Sequence, residues 1–242
     1  MQINNYLEEL LQKLPEKEYI GLGNPNAKIL FIGKEAGADT EVEMFHGNVK
    51  SWKEKEFDYS KKYIPKETKI KNLNHTWQRY QKLYECILAE LNIQFHKNDK
   101  YEISFVEKVF TTELSSLHAP NTIVAKKHTN FKRELEARKK NFFESKFIQQ
   151  FQIIVIFASD KKYIETFSGE VCKLFNVKCK GVLDPDSKDK IWVHTEKEYS
   201  EVPKLLIHTR QLTNSIGKEL IPSICNLVVE FIKDNSIRLD EI

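Results

Sequence analysis

Two residues far apart in the chain, Glu35 and His208, are of the types that hydrolytic chemistry uses. A carboxylate orients and polarises water, and an imidazole donates a hydrogen bond to negative charge as it develops. Glu35 lies in Gly33-Lys34-Glu35-Ala36-Gly37-Ala38-Asp39, where glycines stand on either side of an acid directly after the apolar run Ile29-Leu30-Phe31-Ile32. That pattern predicts a tight turn from strand to helix. The Gly-Lys-Ser/Thr ending of a phosphate-cradling loop is missing, which removes that class. Asp39 could join Glu35 on one helical face to hold a metal, but neither a histidine nor a third acid accompanies them, so no metal is expected.

Both residues end apolar runs, and other such runs alternate with helical patterns. Asn5 to Lys13 has Tyr6, Leu7, Leu10 and Leu11 at helical spacing, and Thr76 to Leu91 carries a longer face of the same period. Strands are predicted at Lys28 to Gly33, Val106 to Thr112, Gln152 to Ala158 and Lys204 to His208. Further helices are predicted at Asn130 to Phe151, Lys161 to Phe175 and Gly217 to Asp234. Continuous apolar strands alternating with helices imply a parallel sheet covered on both faces. We expect an α/β fold, a three-layer α/β/α sandwich with a central four-stranded, mainly parallel sheet, in a single domain over residues 1–242. Residues 41–71 read as a charged insertion with interleaved lysines and aromatics, and residues 177–198 as an added hairpin. Ligands of such sheets bind beyond the carboxyl ends of the strands. Those ends carry Glu35, Thr111-Thr112-Glu113, Ser159-Asp160 and His208-Thr209-Arg210.

Composition narrows the class. With 38 Lys+Arg against 35 Asp+Glu the formal net charge is +3, so any nucleic-acid surface must be local. A hydrophobic share of 40% and an aromatic share of 11% support a packed core rather than disorder. Eight glycines and seven prolines are too few for collagen-like or linker-like chains. The longest apolar run, Ile153 to Ala158, suits a buried strand and is far too short for a membrane span. No signal-peptide pattern opens the chain, and the expectation is a soluble cytoplasmic protein, monomeric and not membrane-bound. Cys86, Cys172, Cys179 and Cys225 include no Cys-x-x-Cys and read as buried free thiols.

The stretch Gly23-Asn24-Pro25-Asn26-Ala27 leading through Lys28 to Gly33, followed by Glu35 and Gly37, resembles the uracil-DNA glycosylase superfamily. There the first strand follows a Gly-x-Pro-x-Ala type turn and runs into the first catalytic loop. That loop is Gly-Gln-Asp-Pro-Tyr in one branch and Gly-Glu-Ala-Pro-Gly in the iron–sulfur branch. It is Gly-Ile/Met-Asn-Pro-Gly in the mismatch-specific and single-strand-selective branches. Glu35 falls where the first of these has its water-activating aspartate, and Ala36 replaces the usual proline. The second catalytic loop of the superfamily follows the fourth strand and begins with histidine, often His-Pro-Ser; here it is His208-Thr209-Arg210. The pyrimidine-reading asparagine after the second strand is absent, and Thr112-Glu113 stands there. No iron–sulfur cysteine pattern is present, so no cofactor is carried over.

The resemblance implies a DNA base glycosylase that flips a damaged or modified base into a pocket between the Gly33–Gly37 and His208–Thr213 loops and hydrolyses its N-glycosidic bond, with Glu35 and His208 catalytic. Glu113, Thr112 and Phe45 would contact the base, with Trp52 and His46 as further stacking candidates. Ionised Glu113 only accepts, which suits an exocyclic amine better than a carbonyl. Lys34, Arg210, Lys132, Arg133 and Lys139 would bind DNA phosphates. The last three belong to a run of seven Lys/Arg between Lys126 and Lys140. The altered motifs equally suit a catalytically inactive member of the fold that binds nucleic acid or a protein partner. An unrelated doubly wound domain acting on a small phosphorylated ligand is a third class.

Overall fold

The computed structural model describes residues 4–37, 47–54, 75–95, 103–198, 200, 202–213 and 216–239. Seven strands form one mixed sheet: β1 (Leu22–Gly23), β2 (Ile29–Gly37), β3 (Val109–Ala119), β4 (Ile153–Phe157), β5 (Val177–Val182), β6 (Ile191–Glu196) and β7 (Leu205–Thr209). Their order is β1-β3-β2-β4-β7-β6-β5. The middle four, β3-β2-β4-β7, are parallel and coincide with the four predicted strands.

Among the described residues the sheet has seven strands, not four. The hairpin read at residues 177–198 is real, and β6 pairs antiparallel with β7. Every residue of β7 is buried, and β6 satisfies backbone groups that would otherwise be orphaned. On the other side, β1 adds a two-residue antiparallel pair to β3.

Alternate strand residues enter two separate apolar clusters, as the two-residue period of a strand requires. Ile29, Phe31, Val109, Val155 and Ile207 pack with Tyr80 and Leu83 of α3 (His75–Glu90) and with Ile224 and Val228 of α8 (Leu220–Asp234). Leu30, Ile32, Phe110, Ile154 and Leu206 pack with Leu7 and Leu10 of α1 (Asn5–Leu11), Leu135 and Phe147. Trp52, in the short α2 (Val49–Lys53), belongs to this second cluster, and its Nε1 donates to Gly21 O at 3.0 Å. It is a core residue and is closed to a ligand.

Three further expectations are corrected. Asn130 to Phe151 is not one helix. After α4 (Thr122–Lys127) come α5 (Phe131–Arg138), a π-turn over Lys139–Phe143, and α6 (Lys146–Gln149), capped by Ser145. The wider turn lets Arg138, Lys139, Phe142, Phe143 and Phe147 all be buried, which one straight helical face does not allow. Lys161 to Phe175 is helical only in α7 (Glu170–Leu174), because Gly169 takes a left-handed φ of 77° just before it. Gly33 to Gly37 is not a turn. It stays in β2, paired with β3 as far as Gly37↔Ala119 through a register shift after Glu35.

Candidate active site

The carboxyl ends of the four parallel strands share one edge. Ile32, Ile156 and His208 are level across β2, β4 and β7, and Gly33 lies beside Glu113 of β3. β2 runs beyond the end of β4, which carries Lys34 and Glu35 past the body of the sheet.

Glu35 and Glu113 make an acidic corner at this edge. Glu35 Oε1 accepts from Thr122 Oγ1 at 2.7 Å, while Oε2 is buried without a partner among the described residues. The Glu113 carboxyl occupies the notch left by Gly33, where a Cβ would lie 2.1 Å from its Oε2. Burial, then the neighbouring charge of Glu35, push the Glu113 pKa up to about 8, with Arg138 opposing. At neutral pH Glu113 therefore carries a proton and offers a donor as well as an acceptor. This reverses the expectation of an ionised acceptor suited to an exocyclic amine.

Tyrosines surround the corner. The Tyr163 hydroxyl is buried and its pKa is raised by burial and by Glu35; that of Tyr80 is raised by burial and by Glu113. The Tyr80 hydroxyl has no hydrogen-bond partner among the described residues, whereas that of Tyr163 lies against the Glu35 carboxylate.

Thr112 points the other way from Glu113, as neighbours on a strand must. Its Oγ1 accepts from Nη2 of buried Arg138 at 3.0 Å. The same guanidinium donates to Glu113 O at 2.9 Å and to Ser116 Oγ at 3.2 Å, and it pairs with Glu18. Thr112 is 1% exposed and serves this clamp rather than a ligand. Phe45, His46 and Asp39 lie outside the described residues.

His208 is the opposite case to Glu35. Its ring is 2% exposed, with Nδ1 on the Thr166 hydroxyl and Nε2 at 3.1 Å from Ala158 O. A carbonyl oxygen only accepts, so Nε2 carries the proton and Nδ1 accepts from Thr166. Burial pushes the pKa down to about 4, so the ring is neutral. Both nitrogens serve the fold. The expected hydrogen bond from this histidine to a departing base has no donor left to make it.

Beside these groups lies a cavity of about 430 Å³ lined by Lys34, Ser159, Lys188, Lys190, Trp192 and Arg210, with Gln211 and Thr213. It thus spans the exits of β2, β4 and β7, and the β5–β6 hairpin forms one wall. Arg210 Nη1 is fixed by Asp189 Oδ1 at 2.9 Å, and the other Asp189 oxygen accepts from Gly217 N. Against the upward push of burial, these two partners hold the Asp189 carboxyl below its ordinary range. The Trp192 ring lies 5.4 Å from His208, and Phe167, 81% exposed, stands edge-on to it at 5.7 Å.

Of the other expected phosphate contacts, Lys139 is spent on Glu136 (2.9 Å) and Glu170 (2.5 Å). Lys132 is exposed, and Arg133 is exposed but pairs with Glu134 at 3.1 Å. Within the same run, Lys126 pairs with Asp160 at 2.6 Å and Arg138 with Glu18. Lys34 lines the cavity and lies 3.9 Å from Asp160, the partner of Lys126.

Reading the sequence overlooked Trp192, Lys188 and Lys190 as site residues. The available signal was the hairpin itself, which had to lie beside β7 and so flank its exit. Tyr163 and Thr122 carried no such signal. No family model, no curated protein and no solved structure matches this chain.

Proposed function

We propose that the protein is a DNA N-glycosylase of the uracil-DNA glycosylase type, built on a three-layer α/β/α sandwich, that hydrolyses the N-glycosidic bond of a damaged or modified base. The observation that carries this is the cation-lined cavity between the β2 and β7 exits, whose β2 wall is Lys34, the residue before Glu35 in the chain. Cations suit the phosphates on either side of an extruded nucleotide, and an indole face suits a base. A cavity of a few hundred Å³ is of the size that ligands of this class occupy. Glu35, with Oε1 fixed by Thr122 and Oε2 unpartnered, is placed to hold the attacking water and to face the cationic sugar of the transition state. In this reading Lys34 and Arg210, which line the cavity, would bind the phosphates, and Trp192 would take the stacking role first sought at Phe45.

The test is incubation with oligonucleotides carrying uracil, hypoxanthine, xanthine or modified cytosines, followed by alkali to cut at abasic sites. Release of one base, lost in Glu35→Gln with binding retained, supports the proposal. No release from the whole panel removes it. The engagement of both His208 nitrogens specifically favours a second reading, a binder that uses the same cavity without chemistry. Binding of the panel without release is its signature.

A further inference from the structure

Glu113 and Glu35 are two carboxyl groups at one strand edge, and their surroundings treat them differently. Glu113 fills the Gly33 notch, is half-buried, and has Glu35 on β2, Arg138 on α5, Tyr80 on α3, and Tyr19 and Tyr163 from the loops facing it. Arg138 is directed at the backbone oxygen of Glu113 and at Glu18, so no cation hydrogen-bonds the Glu113 carboxyl among the described residues. Two buried polar atoms at this corner, Glu35 Oε2 and the Tyr80 hydroxyl, lack partners among the described residues. Buried polar atoms without partners mark a place that a ligand atom or water completes. Paired carboxyls whose environments differ in this way divide into an acid and a base.

We infer that Glu113 is the proton donor to the departing base and Glu35 the acceptor of the water proton, the two acting as an acid–base pair across the Gly33 notch. The inference rests on the glycosidic reading above and replaces the donor role expected of His208. In the step, the bond from C1′ to the base nitrogen breaks and its electron pair leaves with the base. The Glu113 O–H proton goes to that base, the water oxygen bonds to C1′, and one water proton goes to Glu35. Glu35 then holds the proton that Glu113 has lost, and its transfer back across the notch restores the starting state. Nothing is oxidised or reduced. The raised pKa of Glu113 fits this direction of transfer, since the group is protonated at neutral pH and a carboxylate neighbour stabilises that state.

The experiment has two arms. In the first, the glutamate side-chain carboxyls are labelled with ¹³C and titrated by NMR, and the Glu113 signal is assigned by its absence in Glu113→Gln. The expected midpoint is about 8 in the wild type and lower in Glu35→Gln, where the like charge is gone. A midpoint in the ordinary carboxylate range of about 4 overturns the inference whatever the activity. In the second, single-turnover excision is followed against pH on whichever base the wild type releases. The wild-type rate should fall above about pH 8, and Glu113→Gln should be roughly a hundredfold slower with that alkaline limb removed. A rate unchanged in Glu113→Gln overturns the acid role and leaves the glycosylase reading standing. A wild type that releases nothing overturns the glycosylase reading, and the acid role with it.

Discussion

The β2–β3 corner and the end of β7 lie on the same edge of one sheet and were expected to contribute equally, yet they are built on different terms. At β7, His208 is buried, neutral and bonded through both nitrogens. At β2, Glu35 accepts from Thr122 through Oε1, lies against the Tyr163 hydroxyl and faces a second carboxyl. A group whose hydrogen-bonding capacity is fully met by its own fold has little left for a ligand. A group left short stores free energy that a ligand can release. Residue type alone does not separate the two; the surrounding partners do.

The largest effect that can break this contrast is at Arg138, which ties α5 to β3 at the acidic corner. Arg138→Ala strands Glu18 and leaves Ser116 and Thr112 without their donor, so about 3–5 kcal/mol of stability should be lost in denaturant unfolding. A loss under about 1 kcal/mol would show the corner to be loosely held.

Next is Glu35→Gln, expected to slow excision by about two orders of magnitude, or ~3 kcal/mol at the transition state, with DNA binding little changed. Wild-type excision in this variant would remove the catalytic half of the contrast.

His208→Ala should show the converse. Loss of the ring abandons the Thr166 hydroxyl and Ala158 O and should lower stability by about 1–3 kcal/mol, while excision per folded molecule stays within a few-fold of wild type. A hundredfold loss of excision at full folding would invert the comparison.

The two regions also predict opposite pH dependences of stability. Glu113 has its folded pKa raised from 4.5 to about 8, so between these values the folded state holds more protons than the unfolded one, and stability falls as pH rises through that window. His208 has its folded pKa lowered from 6.5 to about 4, so the folded state holds fewer protons, and stability falls as pH drops through that window. Denaturation midpoints measured across both windows should lose the alkaline decline in Glu113→Gln and the acid decline in His208→Ala.

The smallest effect is on salt dependence. Neutralising Lys34 and Arg210 should flatten the slope of DNA affinity against salt by about one unit each, and neutralising Lys132 and Arg133 by less. Equal flattening would make α5 as much a DNA surface as the cavity.

Much of this frame was legible in the sequence because its signals are local. The four parallel strands, the hairpin, α3 and α8 all follow from periodicity within a window of a few turns or one strand. The site was legible only as an edge. Gly33 reads as a chain-breaker in one dimension, whereas its purpose is to admit a side chain from β3. Arg138 and Lys139 look like part of a basic helix face, but their partners Glu18 and Glu170 come from distant segments that no local pattern connects to them. His208 sits at a strand end as a catalytic histidine would, and only the packing of Thr166 against it shows that it is already engaged.

The outer strands bear on whether the sheet can be extended by another chain. Among the described residues the sheet has two rims, and an open rim is a template for another chain. Here one rim is β1, two residues long, which offers almost nothing to copy. The other is β5, where Lys178 and Lys180 flank Cys179 and a register shift separates Cys179 from Gly181. Charge and a broken ladder on one side, and brevity on the other, guard the protein against edge-to-edge aggregation.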